Sequence, residues 1–230
     1  SWVGGRDGAS PVQLEGHGAE NGRAAGWTDE RTIVVESDTD GTTEVWMMKA
    51  DGSHQVKVLS SSGVETNPKF SPTGDQIVFA RWRDNATTLM IVNVNGTGLR
   101  ALTTGNSHDW EPSWGNRGIL FSSNRGPTSD RQKIWMVQPD GSNLRKVSDA
   151  DGHDPIWLPD GRIAFSADGG VASKALAVVS ILNPATGETR PGVDVQGYLP
   201  PIYIRPGKTN QSNLKIMESR LVSVASTCTS

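Results

Sequence analysis

Short apolar runs recur along the chain and form its clearest pattern. Each run is bounded by Gly, Pro, Asn or Asp, and no segment keeps a helical period for three turns. The apolar residues are nearly continuous rather than alternating, which indicates strands that are buried on both faces. The pattern predicts an all-β protein whose inner strands include "TIVVES" (32–37), "QIVFAR" (76–81), "GILFSS" (118–123) and "RIAFSA" (162–167).

Turn glycines and aromatic residues both recur along the chain with a period of about 44 residues. Units of this length, each with four strands and repeated five times, are typical of a β-propeller. A two-sheet sandwich is the alternative, but it would not need five repeats in phase. The turn glycines are Gly8, Gly52, Gly96, Gly141 and Gly187, and the in-phase aromatics are Trp27, Phe70, Trp114, Trp157 and Tyr203.

The second unit defines the four strands of a blade. We expect strand a near residues 67–71, b near 76–81, c near 88–93 and d near 99–103, with turns such as "TGD" and "VNGT" between them. The N-terminus would supply strands c ("SWVGGR") and d ("PVQLE"), and the C-terminus strand a ("PIYIRPG") and possible strand b ("LKIMESRLVS") of one composite blade. Repeats then occupy residues 1–208, and the irregular segment 209–230 could complete the composite blade. A closed five-bladed ring and a fragment of a six- to seven-bladed ring both fit.

Composition narrows the possible partners. The 230 residues are 35% hydrophobic and 20% charged, as in an ordinary soluble globular protein. A net charge of -3 gives no general attraction for nucleic acid, and no run approaches the roughly 18 apolar residues of a membrane span. The N-terminus also lacks the basic and apolar regions of a secretory signal, so we expect a mature, trimmed or cytosolic chain. Neither a nucleic-acid partner nor a transmembrane segment is predicted.

Three sequence lines carry a family resemblance. "NPKFSPTGDQIVFA", "EPSWGNRGILFSS" and "DPIWLPDGRIAFS", with turns such as "KADGS" and "QPDGSN", resemble the WD40-like repeat of TolB-type β-propellers. "GRAAGWTDERTIVVES" departs from the repeat because it lacks both prolines. The resemblance implies the fold and a periplasmic or extracellular location. It also implies three possible roles: an interaction protein, the gating propeller of a serine peptidase, or a metal-dependent lyase acting on acidic sugars.

Catalytic motifs are missing from the sequence. It contains no Gly-x-Ser-x-Gly, no His-Glu-x-x-His, no complete Gly-rich phosphate loop and no Cys-x-x-Cys. No catalytic residue and no cofactor are therefore predicted. Metal ligands that converge on a propeller axis should stand at equivalent positions of successive repeats. The histidines do not, because each lies at a different distance from the in-phase aromatic of its repeat. A metal site is therefore not predicted, and the residues that would form one are His108, His153 and Asp151.

The d-to-a and b-to-c connections of a propeller lie on one face, around the mouth of its central channel. Trp82 and Trp110 fall outside the repeat phase and are assigned to loops of this face, with Arg83 beside Trp82. Aromatic and Arg side chains commonly anchor peptides and sugars. Three further residues share one phase, each three positions before an in-phase aromatic, and they should form a rim that either contacts a ligand or ties the connection to a neighbouring backbone. These rim residues are Asn67, Glu111 and Asp154.

The sequence therefore predicts a non-catalytic propeller that binds a protein segment or a glycan at the channel-mouth face. Its predicted contacts are Trp82, Trp110, Arg83 and the three rim residues. The alternative function is that of an enzyme or part of one, either the lyase or the peptidase propeller.

Overall fold

The structure is a computed structural model that describes residues 2–3, 12–13, 23–27, 32–38, 41–59, 63–126, 131–167 and 178–194. Within these ranges the regular elements are all strands. The C-terminal strands expected after residue 199 lie outside the described residues. The strands are β1 Trp2–Val3, β2 Val12–Gln13, β3 Arg23–Trp27, β4 Thr32–Ser37, β5 Glu44–Lys49, β6 Val56–Lys57, β7 Val64–Phe70, β8 Gln76–Arg83, β9 Ala86–Asn93, β10 Arg100–Ala101, β11 Asp109–Gly115, β12 Gly118–Ser123, β13 Lys133–Val137, β14 Arg145–Trp157, β15 Ile163–Ala167, β16 Val178–Leu182 and β17 Thr189–Asp194.

The strands assemble into antiparallel blades in chain order. β3–β6 and β7–β10 form two four-stranded sheets, and β1 pairs with β2 as expected for strands c and d of the N-terminal half-blade. The first strand of each blade contacts the first strand of the next, as β3 does with β7 and β7 with β11. The first strands therefore lie at the inner edge of the blades, as in a propeller.

The last two blades form one seven-stranded sheet, β11–β17, because they share a strand. β14 has 13 residues, and its first half pairs with β13 while its second half pairs with β15. The sequence predicts a d-to-a connection at the rim residue Asp154, which lies instead inside this strand. The prediction of a loop there was wrong, since strand pairing continues, with a bulge at Asp154, from the end of one blade into the start of the next.

The second and third strands are longer than predicted where they carry candidate site residues. β8 continues through Trp82 and Arg83, so that Arg83 pairs with Ala86. Only Asp84 and Asn85 remain in the turn, with φ angles of 51° and 61°. A two-residue hairpin needs such positive angles, and Asp and Asn tolerate them. Trp82 and Arg83 are therefore strand residues rather than the predicted loop residues, and the loop prediction was also wrong for Trp110, which lies in β11.

The hydrophobic core lies between neighbouring blades. Along β8, Ile77 and Phe79 pack with the preceding blade, whereas Val78 and Ala80 pack with the following one. Successive strand residues point to opposite faces, so a sheet enclosed on both sides needs a continuous apolar run. This arrangement explains the uninterrupted hydrophobic runs in the sequence, and the in-phase Trp114, Trp135 and Trp157 pack against the same inter-blade clusters.

The recurrent glycines close the hairpins between the third and fourth strands. Gly52, Gly96, Gly141 and Gly187 all have φ between 74° and 90°, a region that favours glycine. The amide of Gly96 donates to the carbonyl of Asn93 at 2.8 Å, and Gly141 donates to Gln138 at the same distance. The period of the glycines in the sequence thus reflects the same hairpin in successive blades.

Candidate functional site

Three aromatic side chains from two neighbouring blades form a cluster, here called the aromatic patch: Trp82, His108 and Trp110. The centroids of the two indole rings lie 5.8 Å apart in an edge-on arrangement, and His108 stacks on Trp110 at 5.9 Å. Trp82 is 45% exposed. Val64 pairs with Trp82 across the β7–β8 ladder and is 42% exposed, which extends the apolar surface. The patch contains two of the six residues predicted to bind a ligand, Trp82 and Trp110, together with His108, which was not predicted to do so.

Backbone contacts across the blade boundary hold the aromatic patch in place. The amide of Thr87, next to the β8–β9 hairpin, donates to the carbonyl of Ser107 at 3.2 Å. The Thr87 hydroxyl lies 3.3 Å from Nδ1 of His108, whose own amide donates to Oδ1 of Asn124 at 2.7 Å. These bonds join the b-to-c hairpin of one blade to the d-to-a connection that follows it, so the two predicted connections do share a face.

A buried ion pair supports the base of Trp110. Nη2 of Arg125 lies 2.5 Å from Oδ2 of Asp109, whose side chain is 2% exposed, and the Ser123 hydroxyl donates to Asp109 Oδ1 at 2.6 Å. A buried carboxylate needs such partners because it has lost its hydration. Since Asp109 precedes Trp110 directly, these bonds restrict the backbone that carries the indole.

A second buried pair joins the strands that carry Trp82 and Val64, on the opposite face of the sheet. Nη2 of Arg81 is 2.6 Å from Oε1 of Glu65, a fully buried residue on β7. Glu65 and Asp109 both stand five positions before their in-phase aromatics, Phe70 and Trp114. Two consecutive blades thus place a buried carboxylate–guanidinium pair at the residue next to a tryptophan of the patch, which restricts the strands that carry the indoles.

Arg83 lies beside the patch and faces water. Its side chain is 69% exposed, and its Nε is 3.4 Å from Oδ2 of Asp84, whose side chain is 89% exposed. An exposed ion pair of this kind contributes between about 0 and 1 kcal/mol. The Arg83 guanidinium can therefore exchange Asp84 for an acceptor on a bound molecule at little cost.

The three rim residues share an unusual backbone conformation. Asn67, Glu111 and Asp154 have φ angles of 53°, 54° and 52°. Each stands at a shift in the pairing register of its strand, a β-bulge that the repeat places at the same point of three blades. Left-handed geometry is uncommon for residues other than Gly, although Asn and Asp adopt it more readily than most.

Hydrogen bonds through the rim join one blade to the next. The amide of Asp154 donates to Glu111 Oε2 at 2.8 Å, and the Ser122 hydroxyl donates to the same oxygen at 2.7 Å. One blade boundary earlier, the amide of Asn67 donates to Oε2 of Glu36 at 2.7 Å. The rim residues thus tie neighbouring backbones together, which is one of the two roles that the sequence left open. Contact with a ligand stays a prediction.

Lys69 shows that acidic groups of distant blades come together at the inner end. Burial of this β7 side chain lowers the pKa of its ammonium group to about 8, and attraction to Glu36 and Asp154 opposes that shift. Glu36 belongs to the preceding blade and Asp154 to the blade after next. The Lys69 side chain therefore lies among carboxylates from both sides of its own blade.

The predicted metal candidates do not form one group. Glu111, His153 and Asp154 each offer a donor atom, and these atoms lie within 4.8 Å of one another. Glu111 Oε2 already accepts two hydrogen bonds, and His153 Nδ1 lies 3.2 Å from Asp154 Oδ2, so protein contacts occupy one oxygen of each carboxylate. The other two candidates have different surroundings: His108 belongs to the aromatic patch, and Asp151 pairs with Arg131 and Lys133, each at 2.9 Å.

Sequence reasoning missed the roles of His108, Val64 and Glu36. His108 and Val64 carry no repeat signal and gain their place only from the contact between blades. Glu36 did leave a signal, because a carboxylate interrupts a run in which the equivalent residues, Ala80 and Ser122, are small and lie in the buried strands.

No helix within the described ranges is long and apolar enough to cross a membrane.

A known protein family matches the part of the chain that carries the repeats. Residues 5–180 match the family model of the TolB beta propeller domain. The chain belongs to the TolB β-propeller family. The match confirms the resemblance and the all-β propeller fold expected from the sequence.

Two curated relatives are TolB proteins. A protein TolB homolog of Chlorobium luteolum is 30% identical to this TolB-family propeller over 162 residues, which is 69% of the chain and 35% of the relative. The Tol-Pal system protein TolB of Pseudomonas fluorescens is 30% identical over 86 residues, 37% of the chain and 20% of the relative. The chain thus spans about a third or less of the length of these two relatives.

Solved structures share the fold of this TolB-family propeller. TolB from Acinetobacter baumannii superimposes with a TM-score of 0.66 at 14% identity, over 83% of the chain and 47% of that protein. A puromycin hydrolase superimposes with a TM-score of 0.56 at 20% identity, over 84% of the chain and 34% of the hydrolase. The same blade architecture therefore occurs in TolB proteins and within a hydrolase.

Proposed function

We propose that this propeller is a non-catalytic module that captures a segment of a partner protein on its channel-mouth face. One observation carries the proposal: Trp82 and Trp110, from different blades, meet 5.8 Å apart in a cluster whose outer indole is 45% exposed. Tryptophan is among the residue types that contribute most to binding at protein interfaces. An indole pair that faces water is costly to maintain unless another molecule covers it.

The surroundings of the patch support binding rather than simple packing. The Asp109–Arg125 and Glu65–Arg81 pairs restrict the strands that carry Trp110 and Trp82, so the backbone under the patch loses little freedom when a segment docks. Such preorganisation reduces the entropy cost of association. Arg83 adds an exposed hydrogen-bond donor that can be redirected to the partner.

The relatives favour a protein partner over other ligands. One of them is named as a Tol-Pal system protein, and its name places it in a system of interacting proteins. We extend this to the present chain as a periplasmic protein-binding role. A glycan, the second ligand class predicted from sequence, would stack on the same indoles. The lyase and peptidase alternatives stay predictions of the sequence.

Site-specific photo-cross-linking tests this function. A photoreactive phenylalanine analogue replaces Trp82 in one variant and Leu144 in a matched variant, since Leu144 is also exposed, at 40%, but lies at the fourth strand of a blade. In extracts of the source cells, we expect a discrete protein adduct from position 82 and none from position 144. Equal adducts at both positions, or none at position 82, would contradict the proposed site.

A further inference from the structure

We infer that the segment bound on the aromatic patch carries opposite charges on its two sides: an acidic side chain toward Arg83 and a basic side chain toward Glu111 and Asp154. This inference rests on the proposed function and specifies the chemistry of the partner. It follows from the charges that flank the patch and from the strands that carry them.

The inner flank of the patch has an excess of negative charge. Glu111 follows Trp110 in β11, an innermost strand, and its carboxylate contacts the amide of Asp154. Glu36 lies at the equivalent inter-blade tie one boundary earlier. The described residues of this inner group include three carboxylates and one ammonium group, that of Lys69, which Glu36 and Asp154 attract; the imidazole of His153 lies 3.2 Å from one oxygen of Asp154. A second cation is therefore favoured there.

The outer flank is cationic and open. Arg83 follows Trp82 in β8, the second strand of its blade, and its guanidinium is largely exposed. The neighbouring Arg81 is committed to the buried Glu65, so it contributes little to the surface. A partner carboxylate gains a planar, bidentate donor at Arg83 and displaces only the exposed Asp84.

The sheet places the aromatic patch between these two flanks. β7 is the inner edge strand, β8 lies one strand further out, and β11 of the next blade contacts both. Adjacent strands are about 4.8 Å apart, and an extended peptide advances about 3.3 Å per residue. A segment whose apolar side chain covers the indoles therefore reaches both flanks with side chains two or three positions away on either side.

Opposite charges on the two flanks would fix the direction in which the segment lies. A segment with reversed charges would set like charges together at both ends, which disfavours that orientation. The patch would thus supply affinity, and its flanks would supply orientation and partner choice.

Selection from a random dodecapeptide library displayed on phage tests the inference with the full chain as bait. We expect enriched peptides to carry an apolar or aromatic residue between one acidic and one basic residue, in one dominant order. The preference for a basic residue in the peptides should disappear when the bait is Glu111→Gln/Asp154→Asn. The preference for an acidic residue should disappear when the bait is Arg83→Gln. Gln keeps the acceptor oxygen of Glu111, and Asn already occupies the left-handed position 67, so both variants retain the inter-blade tie.

Matched baits and a Trp-deficient bait separate the possible failures. Asp140→Asn and Arg190→Gln each remove one charge, negative and positive respectively, at exposed sites away from the patch, and they should leave both preferences unchanged. Peptides that need Trp82 and Trp110 but show no charge bias would overturn the inference and leave the proposed function standing. If no enriched peptide depends on the bait Trp82→Ala/Trp110→Ala, the proposed function fails and the inference fails with it.

For one enriched peptide, we expect Glu111→Gln/Asp154→Asn to weaken binding by about three- to tenfold at low salt, since each partly exposed ion pair contributes modestly. Raising the salt concentration should shrink the difference, because screening shortens the range of the attraction. An equal affinity for both baits at low salt would overturn the inference.

Discussion

Trp82 and Trp110 lie 5.8 Å apart with their ring planes at 67°, although they belong to different blades. Trp82 is the last but one residue of β8, the second strand of one blade, and Trp110 is the second residue of β11, the first strand of the next. Neither belongs to the repeated set of tryptophans that pack between blades. The contact exists because a two-residue hairpin and a braced connection meet at one blade boundary, and the surface formed there is the basis of the proposed function.

The tie between Asp154 and Glu111 predicts a loss of stability when its acceptor is removed. Glu111→Ala leaves the Asp154 amide and the Ser122 hydroxyl without the carboxylate that accepts both. An unsatisfied, partly buried donor costs about 1–3 kcal/mol, so the free energy of unfolding should fall by about that amount.

Urea unfolding followed by tryptophan fluorescence measures this change. Glu188→Ala is the control, because the exposed Glu188 carboxylate pairs with Arg190 two residues away on the surface, and its effect should stay within about 0.5 kcal/mol. A Glu111→Ala protein as stable as the control would show that the tie contributes nothing.

The packing of Trp157 on Gly115 predicts that a single methyl group will disturb the boundary between blades. A Cβ at position 115 would lie 2.3 Å from Cδ1 of Trp157, whose Nε1 donates to the carbonyl of Gly118 at 3.0 Å. The indole must move and strain that bond, so Gly115→Ala should destabilise the fold by about 1–3 kcal/mol.

Thermal unfolding of Gly115→Ala and Gly26→Ala provides the comparison. A Cβ at Gly26 would meet its nearest atom, Cγ1 of Val34, at 3.4 Å, which is an ordinary contact. The Gly26 variant should therefore unfold at a higher temperature than the Gly115 variant. The reverse order would contradict the packing described at the Trp157 boundary.

Lys69 predicts a pH dependence of stability. Its pKa falls from 10.5 to about 8 on folding, mainly because burial disfavours the ammonium form. Between these two values the unfolded chain binds more protons at this site than the folded chain does. Stability contributed by this group should therefore rise with pH from about 8 to 10.5, and it should be flat below that window.

The variant Lys69→Met isolates this contribution, since other groups also titrate at alkaline pH. Urea midpoints of both proteins are measured at pH 7.5, below the window in which the folded and unfolded forms differ in bound protons, and at pH 10, inside that window. We expect the parent protein to gain stability relative to the variant at the higher pH. If the difference in urea midpoint between the two proteins is the same at both pH values, the Lys69 ammonium is as well accommodated in the fold as in water.

The fold was predictable because each blade repeats the same local chemistry. The Gly96 and Gly141 turns and the runs around Val78 and Leu120 each report their own hairpin or strand, and a shared period joins them into one architecture. The exact ends of the strands were less predictable. The two-residue turn at Asp84 and Asn85 carried β8 through Trp82, which sequence reasoning had placed in a loop.

The site was only partly predictable because its contacts cross blade boundaries. Trp82 and Trp110 could be singled out as residues that break the repeat, and the shared phase of the rim located Asn67, Glu111 and Asp154. His108 has no phase in common with the other histidines, and it enters the patch only because the Thr87 hydroxyl and a backbone bond hold its connection. Distances of this kind depend on how two blades pack, which no local pattern encodes.

The most direct test of the account is a calorimetric titration of the partner identified by cross-linking. The double variant Trp82→Ala/Trp110→Ala should bind about 30-fold or more weakly than the parent, as expected when hot-spot tryptophans are removed. The control Leu99→Ala/Leu144→Ala removes two side chains that are 42% and 40% exposed on the fourth-strand side of the blades, and it should bind like the parent. Both variants should keep the parent's far-ultraviolet circular dichroism spectrum. Their near-ultraviolet spectra should differ from the parent's only by the contribution of the indoles that were removed. Equal affinity of the tryptophan variant and the parent, with both folded, would contradict the claim that the aromatic patch is the binding surface.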